Sequence, residues 1–227
     1  YNSDAGDGAY ATVSNLAITP VASGTGIRLH DNPLSSNANV QLTMGAGVTV
    51  SGGTTGLRVE NASASIVGGT LNNLSFSGTT GQYIDLVNNA GDLDATAASF
   101  DGQTGLTASP AQLFAIEDKI NHEIDNNTLG FVSVKANNAY VTANASPSAI
   151  NNDYTRLRNA VELVANNWSI NLNGDFDWTE TNAAASWALG NDDTNATGDD
   201  YGILVPANLN GITFTAPLGL TTASIQG

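Results

Sequence analysis

The chain of 227 residues contains no cysteine. That single absence removes disulfides, zinc–thiolate sites and thiol nucleophiles together. Basic residues are nearly as scarce: six Lys and Arg stand against 21 Asp and Glu, for a net charge of −15. Phosphate recognition needs Lys and Arg clusters, so nucleic acid is not an expected partner. Anionic lipid is disfavoured for the same reason. No apolar run approaches the roughly 20 residues that span a bilayer as a helix. Two histidines, His30 and His122, stand far apart in the chain, which argues against a transition-metal site. Neither Gly-x-Ser-x-Gly nor a phosphate-binding glycine loop occurs.

What remains abundant is Thr, Ser, Asn, Gly and Val, the composition of strands and tight turns. Hydrophobic residues make up 41% of the chain, enough for a core. Residues 10–100 are a succession of short alternating segments, among them Val13–Ile18, Gly26–His30, Asn39–Met44, Gly47–Val50, Gly56–Glu60, Ala64–Val67, Leu71–Phe76 and Tyr83–Val87. Each is bounded by Gly, Asn, Ser or Asp, as strands are.

Repetition narrows the architecture. Thr25-Gly26, Thr55-Gly56 and Thr80-Gly81 each lead into a strand, with glycines 30 and 25 residues apart; Thr104-Gly105 follows 24 residues later. A drifting period holding two or three strands suits one coil of a parallel β-solenoid. In that arrangement Ile27, Leu57 and Ile84 stack inside, as do Leu29, Val59 and Leu86. Arg28, Arg58 and Asp85 form an outward column, in which Arg58 can pair with Asp85. Asp31-Asn32, Asn61 and Asn88-Asn89 end the strands at positions suited to left-handed turns.

Two helices interrupt this pattern. Leu113, Ile116, Ile120 and Ile124 form a helical stripe over Pro110–Asp125, with Ser109 as N-cap and Pro110 at the first position. Tyr154, Leu157, Val161 and Val164 form another over Asp153–Ala165, closed by Asn166-Asn167. Between them, 131–135 and 139–142 read as two strands. Trp168, Ile170 and Leu172 then alternate with polar residues, and strand-like pieces return at 203–205, 212–214 and 223–225. The expected fold is mainly β, with parallel solenoid coils and two amphipathic capping helices. The expected organisation is 1–125, closing coils with a capping helix at 110–125; 126–152, a strand pair and linker; and 153–227, a capping helix with the opening coils of a second β-helix.

An amphipathic helix, an apolar strand and then Gly-x-Phe, here Tyr154–Val164, Trp168–Leu172 and Gly174-Asp175-Phe176, resemble the N-terminal cap of pectin-lyase-like right-handed β-helices. Asp177-Trp178-Thr179-Glu180 and Tyr201–Asn210 resemble phrases in very large, repetitive secreted or surface bacterial proteins. The resemblance implies a right-handed coil and a structural role in a secreted or cell-surface filament, stalk or layer. It also implies partners at open coil ends: further copies of the chain or adjoining solenoid domains. The start at Tyr1-Asn2-Ser3-Asp4 is expected of a processed product or a segment of something larger.

Two chemical readings compete with the structural one. The segment 190–201 carries Asp192, Asp193, Asp199 and Asp200 among amide oxygens. Ca²⁺ takes about six to eight oxygen ligands, so this loop is the candidate calcium site, although it lacks the EF-hand spacing; a solvated acidic loop is the alternative. A weaker calcium candidate is Asp4-Ala5-Gly6-Asp7-Gly8. Paired carboxylates on one strand face (Asp31, Glu60, Asp85) raise polysaccharide binding or cleavage, against a surface kept soluble by mixed charge. Trp168, Trp178 and Trp187 could stack on sugars or fill the cap. No catalytic residue and no other cofactor are expected.

Overall fold

The computed structural model describes residues 9–30, 40–61, 63–71, 73–143, 153–177, 209–216 and 224–226. The chain divides into two compact units: Tyr1–Glu123 with Asn127–Ala136, and Ile124–Asn126 with Asn137–Gly227. Both are mainly β, and the pairings between the described strands are all parallel.

In the first unit each strand up to β10, except β7, pairs with the strand three places later in the chain. β1 (Ala9–Val13), β4 (Val40–Met44) and β7 (Ala64–Ile66) make one ladder. β2 (Ala17–Ile18), β5 (Val48–Ser51), β8 (Leu74–Ser77) and β11 (Ser99–Phe100) make a second. β3 (Thr25–His30), β6 (Thr55–Glu60), β9 (Gln82–Val87) and β12 (Ile120–Asn121) make a third. β10 (Leu93–Asp94) and β13 (Val132–Ser133) form a further pair. A parallel pair cannot be closed by a hairpin, and here the two intervening strands serve as the crossover.

The expected columns are in register. Ile27, Leu57 and Ile84 align, as do Leu29, Val59 and Leu86, and Arg28, Arg58 and Asp85. Leu57, Ile84 and Leu86 are fully buried. The second ladder lays Ile18, Val50, Phe76 and Phe100 in another column, where Phe76 and Phe100 stack at 5.5 Å and Tyr83 meets Phe100 edge-on at 5.2 Å. Burying each such side chain contributes about 1.5–3 kcal/mol relative to leaving it in water.

The repeated Thr-Gly has a packing cause. A Cβ on Gly26 would lie 2.3 Å from Val50, and one on Gly56 2.5 Å from Phe76. The third repeat carries two extra residues, Gln82 and Tyr83, before the aligned Ile84. Thr55 stands opposite Gln82, which places Tyr83 opposite Gly56 and leaves Gly81 outside β9. Its ring joins Phe76 and Phe100 in the interior. Thr104-Gly105 opens no strand; it sits in a turn where the Thr104 N–H donates to Thr107 Oγ1 (2.9 Å), and where a Cβ on Gly105 would meet the Val134 carbonyl.

The first helix is shorter than its stripe predicts. α1 covers Pro110–Glu117, with Ser109 and Gln112 forming a reciprocal capping box and Pro110 in the first turn. Ile120 leaves the helix and takes the fourth place in the third ladder, opposite Ile84. A spacing of four is compatible with a helix, but Ile120 is β-branched and the waiting column buries it fully.

In the second unit α2 spans Asp153–Leu163, and β14 (Asn138–Thr142), β15 (Ser169–Asn173) and β17 (Thr213–Thr215) form one sheet. β16 (Asp175–Asp177) pairs with β18 (Ser224–Gln226). The two strands expected between the helices are present, but they do not pair with each other: β13 joins β10 and β14 joins β15.

Left-handed corners repay the Asn-rich sequence. Asn61, Asn88 and Asn89 have φ of 77°, 53° and 63°, as their positions predict. Another device recurs in both units. Asn15 and Asn167 are left-handed (φ 50° and 63°), and each faces a left-handed glycine, Gly47 and Gly211 (both φ 70°). A Cβ there would stand 2.8 Å and 2.5 Å from the asparagine Oδ1. The Asn15 and Asn167 N–H groups donate to the carbonyls of Ala46 and Asn210, the residues before those glycines, at 2.7 and 2.9 Å.

Candidate functional site

Two places in the first unit gather chemistry-bearing side chains. The first is the outward face of the third ladder, where parallel register puts like positions side by side. Arg28 donates to both oxygens of Glu60, from Nε at 3.1 Å and Nη2 at 2.9 Å. Arg58 Nε donates to Glu60 Oε1 at 2.6 Å, and His30 Nδ1 also meets Glu60 Oε2. Arg58 Nη1 reaches Asp85 Oδ2 at 3.0 Å, which is the ion pair expected from the column. Asn121 continues it, donating to Asp85 Oδ1 at 2.9 Å and to the Leu86 carbonyl at 3.0 Å.

Glu60 and Asp85 are buried, while the side chains of Arg28, Arg58 and His30 are 57%, 37% and 47% exposed. The Arg28 hydrogen bonds, reinforced by Arg58 and His30 against the cost of burial, hold the Glu60 carboxyl down to about 2. A carboxylate so engaged is a permanent acceptor and a poor proton donor at neutral pH. Glu60 and Asp85 share Arg58. Asp31, the third carboxylate expected on this face, lies outside the described residues.

The second place is a cleft of about 290 Å³ between α1 and the strands, lined by Tyr83, Phe100, Asp101, Gln103, Gln112, Ala115, Ile116 and Lys119. Asp101 is left-handed (φ 48°), an uncommon conformation for any residue but glycine. Its carboxylate accepts from the Gly78 N–H at 2.8 Å and from the Tyr83 hydroxyl at 2.5 Å. Burial, then the Asp101 carboxylate, push the Tyr83 phenol upward. The Tyr83 hydrogen bond, with help from Gly78 and Lys119 and against burial, pulls Asp101 downward. Lys119 donates from Nζ to the Thr79 carbonyl at 2.9 Å and lies 4.6 Å above the Tyr83 ring. Gln112 lines the cleft and is tied to the cap, its Oε1 accepting from the Ser109 N–H at 2.8 Å. The cleft therefore offers one ammonium, one carboxylate and two carboxamides against apolar walls. Sequence reasoning missed it, because α1 interrupts the ladder and brings Lys119 over Tyr83 from 36 positions away.

His122 was expected on a helix. It follows β12 instead, fully buried and stacked on Phe131 at 5.2 Å. The Val132 N–H donates to its Nδ1 at 3.0 Å, so the ring proton sits on Nε2, 2.5 Å from Glu117 Oε1. Closed from water, this pair ties the end of α1 to β13. In the second unit Arg156 is 1% exposed, donating to Asp125 Oδ1 (3.1 Å) and the Thr142 carbonyl (2.5 Å). Asn159 donates to the Ile124 carbonyl at 3.1 Å. Together α2 anchors the segment Ile124–Asn126.

The calcium candidates Asp192, Asp193, Asp199 and Asp200 lie outside the described residues, as do Asp4, Asp7, Trp178 and Trp187. Trp168 is half-buried at the start of β15. Among the described residues no group of three or more His, Asp or Glu is placed to hold a metal, and no helix is long and apolar enough to cross a membrane. Comparison with family models, with curated proteins and with solved structures returns no match.

Proposed function

We propose that the chain is a structural β-solenoid module of a secreted or cell-surface protein, coiled like the right-handed pectin-lyase-like helices and continued at its coil edge by further coils. The observation that carries this reading is the change in burial along two of the register columns. Ile27 is half-buried, whereas Leu57, Ile84 and Ile120 beyond it are fully buried. Leu16, one step before β2, is 42% exposed, whereas Val48, one step before the matching Thr49, is fully buried. The β1–β2–β3 edge thus presents core-type side chains together with backbone donors and acceptors that no described strand pairs. Such an edge is a template for another strand. The partner is a further copy of this chain or an adjoining solenoid domain. Scarce basic residues, absent cysteine and Thr/Ser/Asn-rich coil exteriors support an extracellular setting.

The test is hydrogen exchange across concentration, with electron microscopy. Amides of β1–β3 are expected to gain protection as end-to-end particles form. A monomer at every concentration, with β1–β3 already as protected as β6 and β9, would overturn the reading.

A second reading, polysaccharide binding, draws support from the cleft. Asp101, Gln103, Gln112 and Lys119 offer hydrogen bonds to hydroxyl groups. Oligosaccharide titration monitored by amide shifts should perturb Gln103, Gln112 and Lys119 first, and an unmoved spectrum removes it. The calcium reading of Asp192, Asp193, Asp199 and Asp200 rests on donor chemistry alone. Calorimetric titration with Ca²⁺, and loss of thermal stability in EDTA, would sustain it.

A further inference from the structure

The tetrapeptide Asn-Leu-Asn-Gly occurs twice, at 171–174 and 208–211, and these hold the only two Asn-Gly dipeptides in the chain. Asn-Gly is the dipeptide most open to backbone attack, because glycine puts no side chain beside the attacking nitrogen. The fold places the two copies differently. Asn173 is the last residue of β15, half-buried, with its carbonyl accepting from the Ala143 N–H at 2.8 Å. Asn210 lies outside any strand, and both Asn210 and Gly211 are exposed. Among the described residues neither the Asn210 side-chain amide nor the Gly211 N–H makes a hydrogen bond.

We propose that Asn210 is a site of spontaneous deamidation and isoaspartate formation, selected over Asn173 by the fold. The Gly211 backbone nitrogen attacks Cγ of Asn210. The new N–Cγ bond forms, the Cγ–Nδ2 bond breaks, and ammonia leaves with the proton given up by Gly211 N–H. Water then opens the succinimide at Cγ to give Asp, or at the main-chain carbonyl to give isoAsp. Either product adds one negative charge to a chain already at −15.

The structural consequence is local and directional. The Asn210 N–H donates to Asn166 Oδ1 at 2.7 Å, and the Asn210 carbonyl accepts from the Asn167 N–H at 2.9 Å. In isoAsp that carbonyl becomes a free carboxylate and the main chain is one carbon longer. The Asn167–Gly211 corner then loses its backbone clasp, and β17 loses the anchor that sets its register on β15. The same chemistry at Asp101-Gly102 is held back, since both Asp101 oxygens are hydrogen-bonded. The inference stands apart from the solenoid reading and survives or fails without it.

The experiment is ageing of the folded chain in mildly alkaline buffer, followed by peptide mapping with isoaspartate detection. Isoaspartate is expected at Asn210 several-fold ahead of Asn173, and at similar rates in the two peptides once the chain is unfolded in urea. Asn210→Gln should abolish the early product. Equal rates in the folded chain, Asn173 ahead, or no product at Asn210 when the unfolded chain reacts, would each overturn the proposal.

Discussion

The two units solve one problem, how to stack parallel strands, with the same corner and opposite uses of charge. Asn15 facing Gly47 in the first unit and Asn167 facing Gly211 in the second are the same left-handed corner. The first unit keeps its arginine ion pairs on the outer face, with Arg28, Arg58 and His30 half in water around Glu60 and Asp85. The second puts Arg156 and Asp125 in the interior. The difference teaches where a charge matters. An exposed cation that loses its partner is rehydrated, whereas a buried one has no water to turn to.

The comparison breaks most visibly at Arg156. Arg156→Ala strands the Asp125 carboxylate and should cost about 3–5 kcal/mol in chemical denaturation, whereas Arg156→Met with Asp125→Leu should recover most of it. If the single and double variants unfold alike, the buried pair is not what holds Ile124–Asn126 to α2. Next come the shared corners. Gly47→Ala and Gly211→Ala should each cost about 1–2 kcal/mol, because an L-residue in the left-handed region is strained and its Cβ meets an asparagine oxygen. Equal losses would show that the corner is one device used twice.

Smaller again is the pH dependence of the outer ladder. Glu60 is held at about 2 in the folded chain, below the roughly 4.3 of a free glutamate. Its contribution is therefore present above the unfolded value and lost as pH falls through the folded one. Acid unfolding of wild type should steepen across that window, and Glu60→Gln should flatten it. A profile that Glu60→Gln leaves unchanged would remove Glu60 from the acid response. Smallest is Arg28→Ala, at most about 1 kcal/mol, since its guanidinium is largely exposed.

Much of the fold was legible because parallel stacking repeats its chemistry. Ile27, Leu57 and Ile84 could be aligned by eye, and the register confirms them. The Arg58–Asp85 pair followed from the same alignment. Ser109-Pro110 announced a helix start, because a cap is local. The helix end was not legible, since Ile120 satisfies a helical spacing and a strand column equally well. The two extra residues of the third repeat were legible, but their cause was not: Tyr83 stands beside Phe76 and Phe100, which come from other strands. The cleft had no signal at all, because its lining residues come from separate strands and α1. The buried Arg156 left only a faint one, a cation beside an apolar stripe in a chain with few cations.

By itself the sequence determined strand chemistry, turn positions, the identity of the stacking columns and the exclusion of thiol chemistry, all of which depend on near neighbours or on composition. Only the tertiary structure decided that Ile120 leaves its helix, that Lys119 lies over Tyr83, and that Arg156 is buried against Asp125. Each of those outcomes turns on which competing burial is larger, and that comparison exists only once distant segments share an interior.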